Sequence, residues 1–150
     1  PSPLLDWTES PYIAAYFAYI TATTQNPAIY CFIERPEGVK GGIGGEPRIT
    51  LKGPFIKTHI RHFAQKAWYT ISTQWDYNQK AHYFCPHKEV LNDQYGRQDK
   101  LIKITLPISI RIKALKQLNE YNINHFTLFQ SEDSLIKMMA TKIFELNEKV

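Results

Sequence analysis

Residues 10 to 33 carry no charge, a run long enough to raise the question of a membrane-spanning helix. Such a helix needs about 20 predominantly apolar residues. Here Pro11, Thr21, Thr23, Thr24, Gln25, Asn26 and Pro27 interrupt the run, so it divides into a buried helix, a polar turn and a strand, and no membrane partner is expected. Ser10 and Pro11 mark the helix start. Serine suits the N-cap, and proline suits the first helical position, where its missing N–H has no intrahelical role. The helix is predicted to run to about Ile20, and "AIYCFIE" (28 to 34) reads as a buried strand rich in aromatic and β-branched residues.

The remaining elements follow from punctuation and periodicity. Five of the seven glycines fall between Gly38 and Gly45, in "RPEGVKGGIGGEP". This loop lacks the Gly-Lys-Ser/Thr ending of a phosphate-binding P-loop, and Pro47 stands where a dinucleotide fingerprint has its third glycine, so a surface loop is expected. "THIRHFAQ" (58 to 65) predicts a short helix feeding the strand "AWYTIST" (67 to 73), and "AHYFC" (81 to 85) a further strand. A polar connector, "PHKEVLNDQYGRQDK", precedes the strand "LIKITLP" (101 to 107). Ser109 is expected to cap a helix to about Tyr121, "HFTLF" (125 to 129) to form a short strand, and Ser131 to cap a last helix. That helix has Leu135, Met139, Ile143 and Leu146 recurring along one face. Interleaved strands and helices without a βαβ rhythm predict an α+β fold, a single domain over residues 1–150 with helices packed on a mixed or antiparallel sheet. Cys31 and Cys85 are too few for a disulfide framework, and free thiols in a cytoplasmic protein are expected. The chain begins at Pro1 rather than methionine, so a missing or processed front is expected.

Charge suggests a partner. No acid occurs between Glu46 and Asp76, whereas Arg48, Lys52, Lys57, Arg61 and Lys66 do, with Trp68, Tyr69 and Trp75 close behind. Cations beside aromatic rings suit an anionic ligand with stackable bases, which makes segment 48–75 a candidate for nucleotide or nucleic-acid binding; a merely solvated basic face is the alternative, since net charge is only +4. His59 and His62, and His82, Cys85 and His87, are ligand types that zinc accepts, but their spacing fits no standard site and no metal is expected. Candidate carboxylates are Asp6, beside Trp7, and the pair Glu132 and Asp133. The latter two fall in the first turn of the last helix, where negative charge complements the helix dipole. Asp6 could tie down Thr8 or Ser10 at the helix entry, or face a ligand.

The stretch "LLDWTESPYIAAYFA" closely resembles the FRG domain family, whose pattern reads Leu-Leu-Asp-Trp-Thr, then Ser-Pro and an Ala/Phe-rich helix. "IRHFAQKAWYTI" resembles that family's Arg-x-x-Ala-Gln segment, placing Arg61, Ala64, Gln65 and Thr70 on its pattern. "LIKITLP" with "KALKQLNEYNINHFTLF" resembles its closing strand, helix and Leu-Phe turn, and Asp133 stands where the family has an acid before the last helix. Ser2-Pro3 replaces the usual Thr-Arg, Ala67 replaces a glycine, and the upstream Phe-Arg-Gly motif is not among these residues, so the resemblance implies a domain lacking its N-terminal portion.

The family pattern is in turn similar to ADP-ribosyltransferases. That resemblance implies a nicotinamide dinucleotide (NAD) as ligand, in the setting of a toxin or phage-defence effector acting as a transferase or glycohydrolase. It implies Thr8 and Ser10 shaping a nicotinamide pocket, Tyr16 stacking, and Gln65 or a carboxylate, Asp6 or Glu132, at the catalytic position. Trp7, Arg61, Lys66, Trp68 and Asp133 would be further ligand contacts. A glutamine cannot act as a general base, so Gln65 at that position implies altered or absent activity.

Overall fold

In the computed structural model, residues 2–35, 45–53, 59–91 and 99–147 are described. The fold is α+β with antiparallel strand pairing. Residues 36–44 of the glycine loop lie outside the described residues, as do residues 92–98 of the polar connector. The strands among the described residues are β1 (Leu4–Thr8), β2 (Ala28–Ile33), β3 (Arg48–Lys52), β4 (Ala67–Asp76), β5 (Ala81–Phe84) and β6 (Lys100–Thr105). The α-helices among the described residues are α1 (Pro11–Ile20), α2 (Ile60–Ala64), α3 (His87–Leu91), α4 (Arg111–Glu120), α5 (His125–Phe129) and α6 (Glu132–Ala140). Among the described residues no helix is long and apolar enough to cross a membrane.

The chain forms two compact units. The first comprises Pro1–Trp7, Tyr30–Pro54 and Trp68–Lys103. Its centre is β4, which pairs with β1, β3 and β5. Both recorded registers are antiparallel, running from Arg48 opposite Thr73 to Lys52 opposite Tyr69, and from Thr73 opposite Phe84 to Asp76 opposite Ala81. The β4–β5 turn is held by Asp76, whose carboxylate accepts from the backbone N–H groups of Asn78 (2.7 Å) and Gln79 (3.1 Å). This is an Asx turn, the usual use of an aspartate at a strand end. One face of β4 is closed, with Thr70 and Ser72 at 0% and 1% exposure beside Ile49 of β3 at 2%. The buried hydroxyls are satisfied: Ser72 Oγ lies 3.1 Å from Cys85 Sγ, and Thr70 is described below. α3 packs against β3.

The second unit comprises Thr8–Ile29, Phe55–Ala67 and Ile104–Val150. Ser10 caps α1 as expected, its hydroxyl accepting from the Ile13 N–H at 3.4 Å, with Pro11 at the first helical position. Ile13, Tyr16 and Tyr19, one helical turn apart, form the buried stripe that meets Leu115 and Leu118 of α4, Leu128 of α5 and Leu146. Arg111 closes the other end of α1, its Nε donating to the Tyr19 carbonyl at 2.8 Å while its guanidinium pairs with Glu145.

Several elements differ from expectation. Residues 125–129 form helix α5, not a strand. Asn124 Oδ1 accepts from the Thr127 N–H and Thr127 Oγ1 accepts from the Asn124 N–H, each at 3.1 Å. This reciprocal cap outweighs the strand preference of Phe and Thr. Ser109 caps nothing: it lies within a 3₁₀ turn, Ile108–Ile110, led by Pro107, and α4 starts at Arg111 without a side-chain cap. β2 is not buried as a whole, since Tyr30, Cys31 and Ile33 are exposed; among the described residues it pairs with β6 in a two-stranded sheet. The polar connector opens with a helical turn, α3. Ser131 does cap α6, but Leu135, Met139 and Ile143 are exposed and only Leu146 of that set is buried. A π turn over Thr141–Glu145 follows α6, and its extra residue rotates the later positions off the earlier stripe. Cys31 and Cys85 are free thiols, one exposed and one buried, as expected.

Candidate functional site

In the second unit the entry to α1 is fastened to the end of α2. Thr8 Oγ1 donates to the Gln65 carbonyl at 2.7 Å and accepts from the Ser10 N–H at 3.1 Å, while the Glu9 N–H donates to the Lys66 carbonyl at 3.2 Å. α2 is one short turn, capped at its start by His59 Nδ1, which accepts from the Arg61 N–H at 3.3 Å. Lys66 follows it in the left-handed region, φ 47°. That conformation costs an L-residue roughly 1–2 kcal/mol, and here the flanking hydrogen bonds hold it. The Gln65 side chain donates from Nε2 to the Leu128 carbonyl at 3.0 Å, binding α2 to α5.

The α2–α5 contact continues through aromatic rings. The Arg61 guanidinium stands 4.9 Å from the Phe129 ring centroid, and the His125 imidazole stacks on the same ring at 4.5 Å. His125 Nδ1 is 3.4 Å from the Tyr16 hydroxyl. Burial, with the Lys137 charge second, pulls the His125 pKa below its usual value. Burial, with the Glu145 carboxylate second, pushes the Tyr16 hydroxyl up to about 12. Both groups are therefore neutral at pH 7. Beside them lies a cavity of about 20 Å³, lined by Tyr16, Asn119, Asn124, His125, Lys142 and Leu146 among others. That is room for a water molecule, not for a ring. The cations Arg61 and Lys66 are exposed at this corner, as is Glu9.

In the first unit, Trp7 Nε1 donates to Thr70 Oγ1 at 2.8 Å, and Thr70 Oγ1 lies 3.0 Å from His87 Nε2. The indole N–H can only donate, so the threonine oxygen accepts there. Burial lowers the His87 pKa, an effect partly offset by a hydrogen bond to the Thr70 backbone. The Trp7 ring also meets Phe32 at 5.5 Å.

The residues singled out from sequence are thus divided. Asp6, Trp7 and Trp68 belong to the first unit, with Asp6 exposed on β1 and Trp68 half-buried on β4. Thr8, Ser10, Tyr16, Arg61, Gln65, Lys66, Glu132 and Asp133 belong to the second. Of these, Thr8, Ser10, Gln65 and Lys66 are joined by the hydrogen bonds above. Tyr16 is a core ring, 4% exposed, packed edge-on against Phe17. Glu132 and Asp133 are exposed in the first turn of α6, at the positive end of its dipole. His82 sits edge-on to Trp75 at 5.0 Å, and among the described residues no three His, Cys, Asp or Glu side chains gather as a metal-ligand set. His125 and Phe129 receive no role from the sequence because "HFTLF" reads as a strand. The capping pair Asn124 and Thr127 is the signal that could have found them.

Among known families, residues 1–27 match the FRG domain model. The matched segment holds β1 and α1, including Trp7, Thr8 and Ser10. No curated protein and no solved structure matches the chain significantly. The stretches quoted for the FRG resemblance meet one another: Trp7 bonds to Thr70, Thr8 to Gln65, Gln65 to Leu128, and Arg61 covers Phe129.

Proposed function

We propose that this chain is a nucleotide-binding domain that takes an ADP-ribosyl ligand of the NAD class, with the diphosphate held by Arg61 and Lys66. The observation that carries the reading is that these two exposed cations flank a turn clamped to the Thr8–Ser10 entry of α1, inside the FRG-matched segment. A pair of cations on a clamped turn suits two linked phosphates, and Arg61 adds a planar fork of donors. The cavity beside Tyr16 is too small for the ligand's rings, and we place the ligand on the exposed corner that Arg61 and Lys66 form. The role we assign is binding. Gln65 has no basic atom and spends an amide N–H on Leu128, which makes it a positioning residue. Cleavage would break the bond between ribose and nicotinamide, with water or an acceptor hydroxyl attacking and nicotinamide leaving. Glu132, in the same unit as Arg61 and Lys66, is the carboxylate to test for that step.

Calorimetric titration and thermal melting of the chain with NAD and ADP-ribose test the proposal. Ligand at 100 times its dissociation constant adds about 2.7 kcal/mol, a shift of several degrees for a chain of this size. Arg61→Gln with Lys66→Asn should abolish the shift while leaving the unliganded melting temperature within about 2 °C. Asparagine tolerates the left-handed backbone at position 66. Binding that survives the double variant, or no binding of either compound, overturns the proposal. Released nicotinamide would extend it to a dinucleotide-consuming enzyme.

A second reading, nucleic-acid or nucleotide binding by segment 48–75, is favoured by one observation. The β3–β4 register sets Lys52 opposite Tyr69 and Arg48 opposite Thr73, so cations and an aromatic ring share one face of the sheet. Affinity that falls steeply with salt would support it.

A further inference from the structure

Directly opposed residues in an antiparallel pair share a face, and alternate residues along a strand share it too. Extending the β3–β4 register through β5 gives cross-strand rows on one face: Lys52 with Tyr69, Thr50 with Ile71, Arg48 with Thr73 and Phe84, then Trp75 with His82. The other face holds Ile49, Thr70 and Ser72 and is closed there. On the first face Arg48, Lys52 and His82 are exposed, and Phe84 is 63% exposed. Asp76 falls on the opposite side of the alternation, with its carboxylate committed to the β4–β5 turn. The face therefore carries cations and aromatic rings and no carboxylate from β3, β4 or β5. Asp6 of β1, next to Trp7 whose ring meets Thr70 on the closed face, falls on the open face on the opposite side of β4 from Arg48 and Lys52.

We propose that this face binds single-stranded nucleic acid, with Arg48 and Lys52 on phosphates and a base stacked on Phe84. The proposal rests on the second reading above and goes beyond it: it adds β5, and it specifies single strands and stacking. The two cations are four residues apart on one strand, about 13 Å, so they track a backbone rather than pinch one phosphate. An exposed phenyl ring in the same row as an arginine offers a base a stacking surface beside its own phosphate. A duplex keeps its bases stacked on each other and cannot use such rings, which selects the single strand.

Fluorescence anisotropy of labelled oligo-dT, oligo-U and a mixed-sequence duplex, titrated with the complete chain at low and raised salt, tests this. We expect single strands to bind more tightly than the duplex. Phe84→Ala should weaken that binding about tenfold or more with an unchanged melting temperature. Lys52→Gln should lower the salt slope by about 0.7. Duplex binding as tight as single-strand binding, with Phe84→Ala without effect, overturns the stacking proposal while leaving a basic nucleic-acid surface in place. No binding to any oligonucleotide at low salt overturns both.

Discussion

The indole N–H of Trp7 and the hydroxyl of Thr70, 63 residues apart, meet in a 2.8 Å hydrogen bond, and the same hydroxyl lies 3.0 Å from an imidazole nitrogen of His87. Thr70 is fully buried, so each partner depends on it for satisfaction. Thr70→Val keeps the shape and removes the oxygen, leaving the Trp7 donor and His87 without it. It should destabilise the chain by about 1–3 kcal/mol, and Trp7→Phe should cost less once Thr70 is already replaced by valine. Urea denaturation of the four-member cycle measures this; additive effects would mean that the bond contributes nothing.

His87 and His125 both have pKa values lowered chiefly by burial, from an ordinary 6.5. The fold favours their neutral forms. The stability involved is fully present above pH 6.5 and is lost as pH falls from there through the depressed folded values. Melting temperature recorded from about pH 7.5 to 5 should fall more steeply for the native chain than for His87→Gln with His125→Gln. Identical slopes would show that neither imidazole is coupled to folding.

Gln65 donates to the Leu128 carbonyl, so a negative charge at that side chain is the wrong electrostatics. Gln65→Glu replaces the donor with a carboxylate facing a carbonyl oxygen and should cost about 1–3 kcal/mol at neutral pH, with part recovered near about pH 4 as the acid protonates. A Q65E chain as stable as the native one at neutral pH would remove this positioning role.

Lys66 adopts φ 47° between two backbone hydrogen bonds. Lys66→Gly relieves steric strain and should change stability by under about 1 kcal/mol, whereas Lys66→Val should cost about 1–2 kcal/mol or more. Equal melting temperatures for the glycine and valine variants would mean that the left-handed turn is not maintained.

Asn124 and Thr127 convert a strand-like pentapeptide into α5. Asn124→Ala should cost about 0.5–2 kcal/mol, and Thr127→Val a comparable share through the other half of the box. Circular dichroism and urea midpoints would register the loss; unchanged midpoints would assign α5 to packing alone.

Features that depend on neighbours three or four residues apart are legible in the chain. Ser10 with Pro11 and Ser131 with its following turn are local hydrogen-bonding devices, and both act as read. The α+β class and the strands expected at 67–73 and 81–85 follow from β-branched and aromatic runs between turn residues, and β4 continues to Asp76 while β5 ends at Phe84. The departure at α5 is local in origin too: the cap at Asn124 overrides the strand preference of the aromatic residues behind it. The C-terminal stripe fails for a different reason: Leu135 and Met139 already face solvent within α6, and the π turn then shifts the helical period before Leu146, which is buried.

The sequence by itself determined the helix starts at Ser10 and Ser131, the strand-rich centre, the two free thiols and the pairing of basic with aromatic residues between 48 and 75. Only the tertiary structure decided that Thr70 answers Trp7, that Gln65 is spent on Leu128, and that Arg61 covers Phe129. Those partners are brought together by chain closure over long separations, which no local periodicity encodes. The tertiary structure likewise decided that β4 turns Thr70 and Ser72 inward and leaves Arg48, Lys52 and Phe84 to solvent. A strand's alternation defines two faces, and burial against neighbouring elements selects the one that closes.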